Sequence, residues 1–428
     1  LSKDPSKFIK DGDAAIASAR QATDKEQRKA LYAEAELKYK KAYGRSKTDE
    51  LKVDAIYHLA DVYIDTGEWR DVLGCWGKII RLDSKDIKAR YNRLKYLYIV
   101  AQTSPGPIWQ EVATQSTEFI DIIEKPGASS ELATTDTSKW DIEALKQSGE
   151  PEHKLGPYLH LIRGRANLAA AQLGLVTNRE ETIKQAVLDL EKVKQLEPTN
   201  PDIYFYLAQA ATFKGDIETA KGDPEARARG QNEAIELLKE GITATNNGEK
   251  ANINLLAVKH SFSFAQASNN ASDQQKQILA MEPEYLALTA NFSSNAEAFS
   301  VLANFYSDFR LGPTYLDKAI DAIAKAISID ANSVDSVISA ANMYSKRFNT
   351  RKQPADLAKA IELAKNALLL PDAQEATGPR SQVIKMNQLR LHSILAYNYI
   401  DQIMDSTKPL GESEGQQLLS NAQQEVRQ

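Results

Sequence analysis

Cysteine is almost absent from this chain of 428 residues, which contains only Cys75. A single thiol excludes an intramolecular disulfide framework and a cysteine-based metal site. Because Cys75 falls on a predicted apolar helix face, we expect a buried thiol that fills core space. Histidine is scarce as well, and no two of the five histidines stand at the spacing of metal ligands on a helix. We therefore expect no metal site and no cofactor.

Several signals of other protein classes are missing too. No apolar run is long enough to cross a bilayer. The net charge is −5, whereas a nucleic-acid-binding chain usually carries an excess of basic residues. There is no glycine-rich phosphate loop, no Gly-x-Ser-x-Gly turn and no His-Glu-x-x-His helix. The sequence predicts a chain that is not an enzyme, has no nucleic-acid partner and has no integral membrane segment.

What the sequence does contain is a repeated pattern of large and small residues. In the first half of each unit, a large apolar residue is followed at once by a small one, and an aromatic residue comes three positions later. In the second half, a small residue is followed four positions later by a bulky one, and a third residue of the same helix face comes three positions after that. Proline or a polar residue then ends the helix. The small residue allows two helices to cross closely, where a larger side chain would push them apart. The second unit shows the pattern most clearly, with Leu59, Ala60, Tyr63, Val72, Trp76 and Ile79.

About nine such helix pairs can be counted, and all but the third have glycine or alanine at the predicted crossing. In the third unit Lys95 stands there. Residues 126–157 are rich in Gly, Ser, Thr and Asp, and we interpret them as an irregular insertion. We expect about three repeats over residues 1–125 and about six over residues 158–428, the last without its second helix. The predicted crossing residues are Gly12, Ala60, Gly164, Ala208, Ala257, Ala303, Ala341 and Ala396.

This pattern resembles the tetratricopeptide repeat (TPR). The resemblance implies an all-α, right-handed superhelical solenoid of antiparallel helix pairs, with a concave groove lined mainly by the first helix of each pair. The turns inside the pairs are predicted to be elongated in nearly every unit except the second. Such turns could be neutral drift at a tolerant surface, or an edge that contacts a partner.

A second resemblance bears on location. The segment Lys7–Asp13 and the alanine-rich second helices are similar in style to long bacterial TPR proteins of the cell envelope. The chain also begins at Leu1 and not at methionine, which favours removal of an upstream piece. Together these features slightly favour a periplasmic or cell-envelope location over a cytoplasmic one.

In the TPR family, ligands lie along the groove and contact fixed positions of the first helices, so the resemblance implies a protein or peptide partner. Aromatic side chains flanked by amides and charges suit an extended peptide, although several of these rings could instead pack on a neighbouring helix. The lysine found in members that bind acidic chaperone tails is missing here, which disfavours such a tail. The groove positions are Asp54, Tyr57, Asp61, Asn92, Tyr96, Tyr158, Arg165, Phe205, Gln209, Phe213, Asn304 and Asn342.

The function predicted from these features is that of a non-catalytic scaffold that holds a protein segment for the assembly of a complex. Two alternatives stay open. The chain could be a structural module that self-associates into homo-oligomers through its last repeat or its turn edge. It could also be the accessory repeat region of a larger glycan transferase or secretion protein that extends beyond residue 428.

Overall fold

A computed structural model of the chain shows an all-α fold, which confirms the predicted class. It describes residues 4–103, 106–124, 154–244, 256, 271–374, 381–404 and 412–427, and no β-strand lies within these ranges. The helices are α1 (Pro5–Gln21), α2 (Lys25–Arg45), α3 (Asp49–Thr66), α4 (Trp69–Leu82), α5 (Ile87–Thr103), α6 (Ile108–Glu124), α7 (Leu155–Gln172), α8 (Arg179–Leu196), α9 (Pro201–Ala220), α10 (Ala226–Ala244), α11 (Ala271–Leu279), α12 (Glu282–Asn291), α13 (Ala296–Tyr306), α14 (Leu316–Ile329), α15 (Val334–Arg351), α16 (Pro354–Ala367), α17 (Pro371–Gln374), α18 (Ser381–Met404) and α19 (Glu412–Arg427).

The chain divides into two compact units. The first comprises Leu1–Glu197 with the short segment Ala376–Gln382, and the second comprises Pro198–Glu375 with Val383–Gln428. The division therefore falls after α8, not at the predicted insertion. On either side of that insertion, α6 and α7 pack against each other within the first unit.

The predicted insertion itself lies mostly outside the described residues, which omit 125–153. Its last residues are described, and they are helical, because α7 begins at Leu155. The insertion therefore ends at residue 154, three residues before the predicted end at Pro157. Proline is tolerated in the first turn of a helix, where its missing N–H has no intrahelical acceptor.

Local sequence explains where many helices begin. A short polar side chain stands just before the first turn and accepts a hydrogen bond from one of its otherwise unpaired backbone N–H groups. Proline occupies the first turn of α1, α9 and α16. The capping residues are Asp4, Asp24, Thr48, Asn178, Asn200, Asn295 and Ser333.

Glycine residues set the closest approaches between paired helices. A Cβ atom added to Gly12 of α1 would lie 2.5 Å from the Tyr39 ring of α2. One added to Gly164 of α7 would lie 3.0 Å from Leu190 and 3.1 Å from a carbonyl oxygen of α8. The predicted small residues at these two crossings are therefore required by packing. In the pair α9–α10 the closest contact lies further along, where backbone meets backbone at Gly215 and Gly230.

Some turns within pairs are shorter than predicted. The first pair is joined by residues 22–24 and the eighth by 352–353. In the fifth pair, the charged stretch 216–230 contains glycine and proline and is typical of a long loop, but only 221–225 lie outside the helices. The first helices continue further than their apolar pattern does, because charged residues on a solvent-facing side do not end a helix. Elongated turns do occur at 173–178 and at 307–315, where two short 3-10 helices lie.

Two further units also differ from prediction. In the sixth unit the pattern of the second helix extends to Pro283, whereas the helix ends at Leu279 and Pro283 lies in the first turn of α12. In the ninth unit the second helix is present as α19, whose Ala422 joins the core cluster of Leu391 and Leu395. Of the predicted first helix of the sixth unit, only Leu256 is described, so the crossing at Ala257 lies outside the described residues.

A network of charged and polar groups, buried at His160 and Asp189 and partly exposed at Glu124 and Lys192, connects α6, α7 and α8 in the first unit. His160 is 3% exposed, and its two ring nitrogens lie 2.8 Å from Asp189 Oδ1 and 2.9 Å from Glu124 Oε1. Arg163 donates two hydrogen bonds to the Asp189 carboxylate, at 2.8 and 2.6 Å. Lys192 donates to the same oxygen of Glu124. The charges are paired, as buried charges must be to be tolerated.

Candidate functional site

Three predicted groove residues lie together on α3 in the first unit. Asp54, Tyr57 and Asp61 are spaced by three and four residues, which places them on one side of the helix. Asp54 is exposed, and the other two side chains are half-buried. The Tyr57 hydroxyl donates to the Asp86 carboxylate at 2.9 Å, and its ring meets Trp76 edge-on with centroids 5.4 Å apart. Tyr57 is thus held in place while part of its ring stays accessible.

Residues from α1 extend this group into a larger acidic surface. The His58 ring stacks on Tyr39 at 5.3 Å, and its nitrogens lie 3.1 Å from Asp13 and 3.8 Å from Asp54. Arg20 of α1 pairs with Asp65 of α3 at 2.7 Å. We call Asp13, Asp54, Asp61 and Asp65 the acidic patch; its members Asp13 and Asp65 were not among the predicted groove residues.

The Asp61 carboxyl is the most perturbed acid of this patch. Burial raises its pKa to about 6, and the neighbouring Asp65 carboxylate adds to the rise. His58, Arg20 and Lys88 act in the opposite direction without cancelling it. A carboxylate at this position therefore lacks part of the solvation that it would have in water.

This raised pKa predicts a pH-dependent effect of Asp61→Asn. Folding favours the protonated form of Asp61, so an ionised carboxylate at this position destabilises the fold. This cost is absent below the unfolded pKa near 4 and grows as the pH rises through about 6. We expect Asp61→Asn to raise the free energy of unfolding by about 1–2 kcal/mol at pH 7.5 and to leave it unchanged at pH 4, allowing for screening at a half-buried site. Urea unfolding at both pH values measures this. An equal gain at both would contradict the interpretation.

Three other predicted groove residues are buried, and this corrects their assignment to an open surface. Asn92 and Tyr96 are 0% exposed and Tyr158 is 2% exposed. Residues 94–101 of α5 are all buried, and their apolar side chains pack into two different core clusters. Both α4 and α6 pack against α5, so neighbouring helices cover it on more than one side. The Tyr96 and Tyr158 rings therefore pack against neighbouring helices and do not line an open groove.

Arg165 of α7 is half-buried and already engaged within the first unit. Its guanidinium donates to the Tyr98 hydroxyl. It also lies over the Tyr98 ring at 4.9 Å and the Trp109 ring at 5.5 Å. Lys95, at the exceptional crossing position, is 2% exposed, and its ammonium lies 5.8 Å from the Tyr91 ring centroid. Both cations rest on aromatic faces, which attract positive charge.

The second unit presents a different surface. Phe205, Gln209 and Phe213 follow one another every four residues on α9, and all three are half-buried. They form one strip of rings and an amide, which we call the α9 strip. Asn304 of α13 and Asn342 of α15 are exposed. At the positions where repeats that bind acidic chaperone tails carry lysine, this chain has Ser300 and Ile338. The Ser300 hydroxyl lies 3.2 Å from the Ser336 hydroxyl, and Ile338 is 0% exposed.

The single cysteine is a buried core residue. Cys75 is 2% exposed, and burial raises the pKa of its thiol to about 12, as expected of a structural cysteine. Within the described ranges, no three His, Cys, Asp or Glu side chains are grouped so that they could hold a metal ion. No helix in the same ranges is long and apolar enough to cross a membrane.

The successive pairs, with a small residue at each close crossing, make this an all-α protein of TPR-like helix pairs. No protein-family model and no curated protein matches the chain. Among solved structures, TTC0263, a thermophilic TPR protein of Thermus thermophilus, is 13% identical, covers 54% of this chain and 98% of its own, with a TM-score of 0.35. Yeast Tom70 is 14% identical over 98% of this chain and 96% of its own, with a TM-score of 0.23. A monomeric mutant of IFIT1, solved with Gppp-AAAA, is 15% identical over 87% and 69%, with a TM-score of 0.36.

Proposed function

We propose that this chain is a non-catalytic scaffold that binds an extended protein segment along the first helices of its repeats. What supports the proposal is that the acidic patch and the α9 strip both lie on first helices and leave side chains partly accessible. Their supporting helices are held by buried cores, so little flexibility is lost when a partner binds. We slightly favour a periplasmic or cell-envelope location over a cytoplasmic one, and we propose no nucleic-acid partner.

For the first unit, the proposed partner is a basic segment. Asp54 and Asp61 lie seven residues apart on α3, with the Tyr57 ring between them. The single observation that favours a basic segment is the placement of these two carboxylates on one side of α3, and burial, which raises the pKa of Asp61, agrees with it. A lysine or arginine side chain placed there would add to the stabilisation that Arg20 and Lys88 give the Asp61 carboxylate.

For the second unit, the proposed contacts are apolar and amide contacts. Phe205 and Phe213 offer ring area, and Gln209 between them can donate to and accept from a peptide backbone. Exposed Asn304 and Asn342 could make similar hydrogen bonds. The absence of lysine at positions 300 and 338 disfavours an acidic chaperone tail as the partner.

The test uses two extended peptides of equal length, one rich in lysine and one rich in glutamate. We expect the lysine-rich peptide to bind more tightly, and Asp54→Asn with Asp61→Asn to weaken its binding at least about tenfold, since each charge pair contributes about 1 kcal/mol or less in water and more when desolvated. Titration calorimetry measures the affinity. Because Asp61 must be ionised, the affinity should also fall as the pH is lowered through about 6.

A matched control removes one charge from the same helix outside the patch. Asp49→Asn changes an exposed residue in the first turn of α3 that lies more than about 100° around the helix from the side of Asp54 and Asp61, so it should leave peptide binding nearly unchanged. Equal binding of both peptides, or equal weakening by Asp49→Asn, would refute the basic-segment proposal. Phe205→Ala with Phe213→Ala tests the α9 strip in the same way.

A further inference from the structure

Helix α18 carries apolar side chains on two opposite faces. One face enters the core of the second unit through Leu391, Ile394, Leu395 and Tyr399. The opposite face exposes a row of apolar side chains, and at 3.6 residues per turn these positions fall within about 80° of the helix circumference. We call this row the α18 stripe: Met386 (48% exposed), Leu389 (57%), Tyr397 (71%), Ile400 (43%) and Met404 (73%).

An outward face of this kind is unusual for a surface helix, which normally turns charged residues to solvent. Ser393, exposed in the middle of the stripe, is its only polar position. A helix that is apolar on both sides is typical of one covered on both sides. In the single chain, no described residue buries the α18 stripe.

The spacing of the stripe residues is almost the same in either direction along α18. The positions are spaced by three, four, four, three and four residues when Ser393 is included. If two copies of α18 cross antiparallel with a two-fold axis near residue 395, Met386 faces Met404 of the second copy and Leu389 faces Ile400. Ser393 then faces Tyr397. A surface that complements itself in this way is what a closed two-fold dimer requires.

Charge at the edge of the stripe fits the same arrangement. Arg390 and Asp401 flank the stripe on one side of the helix. In the antiparallel arrangement Arg390 of one copy comes opposite Asp401 of the other, so opposite charges meet. In the single chain Arg390 pairs at 3.0 Å with Asp335, which is 74% exposed. Such an exposed pair contributes little, so Arg390 can exchange partners at small cost.

The size of the stripe is also adequate. Its five side chains expose roughly 500–600 Å² of apolar surface, which is the largest patch that ordinary monomers show. With the flanking polar residues, this reaches the lower end of a standard interface, about 600 Å² per partner. We propose that the α18 stripe binds the same stripe of a second copy of this chain, so that two α18 helices pack antiparallel in a homodimer.

Sedimentation equilibrium of the full chain up to about 100 µM tests this, and we expect a dimer. Tyr397→Glu with Met404→Glu should raise the dissociation constant at least roughly 100-fold, because four carboxylates would enter the interface without partners. Leu188→Glu on α8 is the matched control, since Leu188 is 57% exposed and lies outside the stripe. That variant should remain dimeric. The helical signal of all variants should be unchanged.

A strictly monomeric wild type, or a dimer that the double variant does not weaken, would overturn the proposal. Orientation is tested by a spin label on Lys385→Cys, since Lys385 is exposed and the native Cys75 is buried. The antiparallel arrangement separates the two labels by about 30 Å along the helices, whereas a parallel one brings them within about 10 Å. Peptide binding at the acidic patch should be the same in the dimer and in the double variant, so the two proposals fail separately.

Discussion

Replacing Gly230 by valine should destabilise the α9–α10 pair by at least about 3 kcal/mol. A Cβ atom at this position would lie 2.5 Å from the carbonyl oxygen of Ala211 and 3.2 Å from the Cα atom of Gly215. Both are backbone atoms, which cannot rotate away as a side chain can. The helices would have to separate, and the core around Ala208 and Leu238 would lose contact. Urea unfolding followed by circular dichroism measures the loss, and hydrogen exchange locates it in α9 and α10.

Gly74 provides the matched control for this substitution. It lies within α4, and an added Cβ atom would meet no atom within 4 Å. Gly74→Ala should therefore stabilise the chain by about 0.5–1 kcal/mol, because alanine loses less entropy than glycine when a helix forms. If Gly230→Val proved as stable as the wild type, the close crossing of α9 and α10 would be wrong.

Replacing Asp189 by alanine should have the second large effect and lower the free energy of unfolding by about 3–5 kcal/mol. The substitution leaves the guanidinium of Arg163 and the ring of His160 buried without the carboxylate that they share. Chemical denaturation at pH 7 measures the loss. Glu191→Ala removes a carboxylate from a less buried position of the same helix and should change stability by no more than about 0.5 kcal/mol.

The pH dependence of the Asp189 effect follows from its pKa. Burial acts to raise the pKa of Asp189, but hydrogen bonds from His160 and Arg163 outweigh it and hold the pKa below its ordinary value. A carboxyl whose folded pKa is lowered stabilises the fold above its unfolded pKa, and this contribution is lost as the pH falls through the folded pKa. The gap between wild type and Asp189→Ala should therefore narrow below about pH 4. A gap that widened in acid would contradict the paired network.

The helix pairs were predictable because a small residue at a crossing leaves a direct trace in the sequence. Gly12 and Gly164 were identified as crossing residues, and both make the close contacts expected of them. Turn lengths were less predictable, since the end of an apolar pattern is not the end of a helix. At residues 216–220 the pattern stops, whereas α9 continues to Ala220.

The residues of the candidate site were predictable only where the spacing within a single helix decides which side chains are exposed. Asp54, Tyr57 and Asp61 lie on one side of α3, and their spacing shows it. The burial of Tyr96 depends on helices that cover α5 from more than one side, which periodicity within α5 does not reveal. The network around Asp189 left a trace, namely an acid beside Leu190 on the face that Ala186 and Val193 bury.

The pairing of neighbours along the chain also bears on how this protein folds. Each close crossing described above joins helices that follow one another in sequence, such as α1 with α2 and α9 with α10. Contacts between sequence neighbours close small loops, so little chain entropy is lost before the first packing contact forms. We expect each pair to form in microseconds to milliseconds, and the first pairs to form while later ones are still being synthesised.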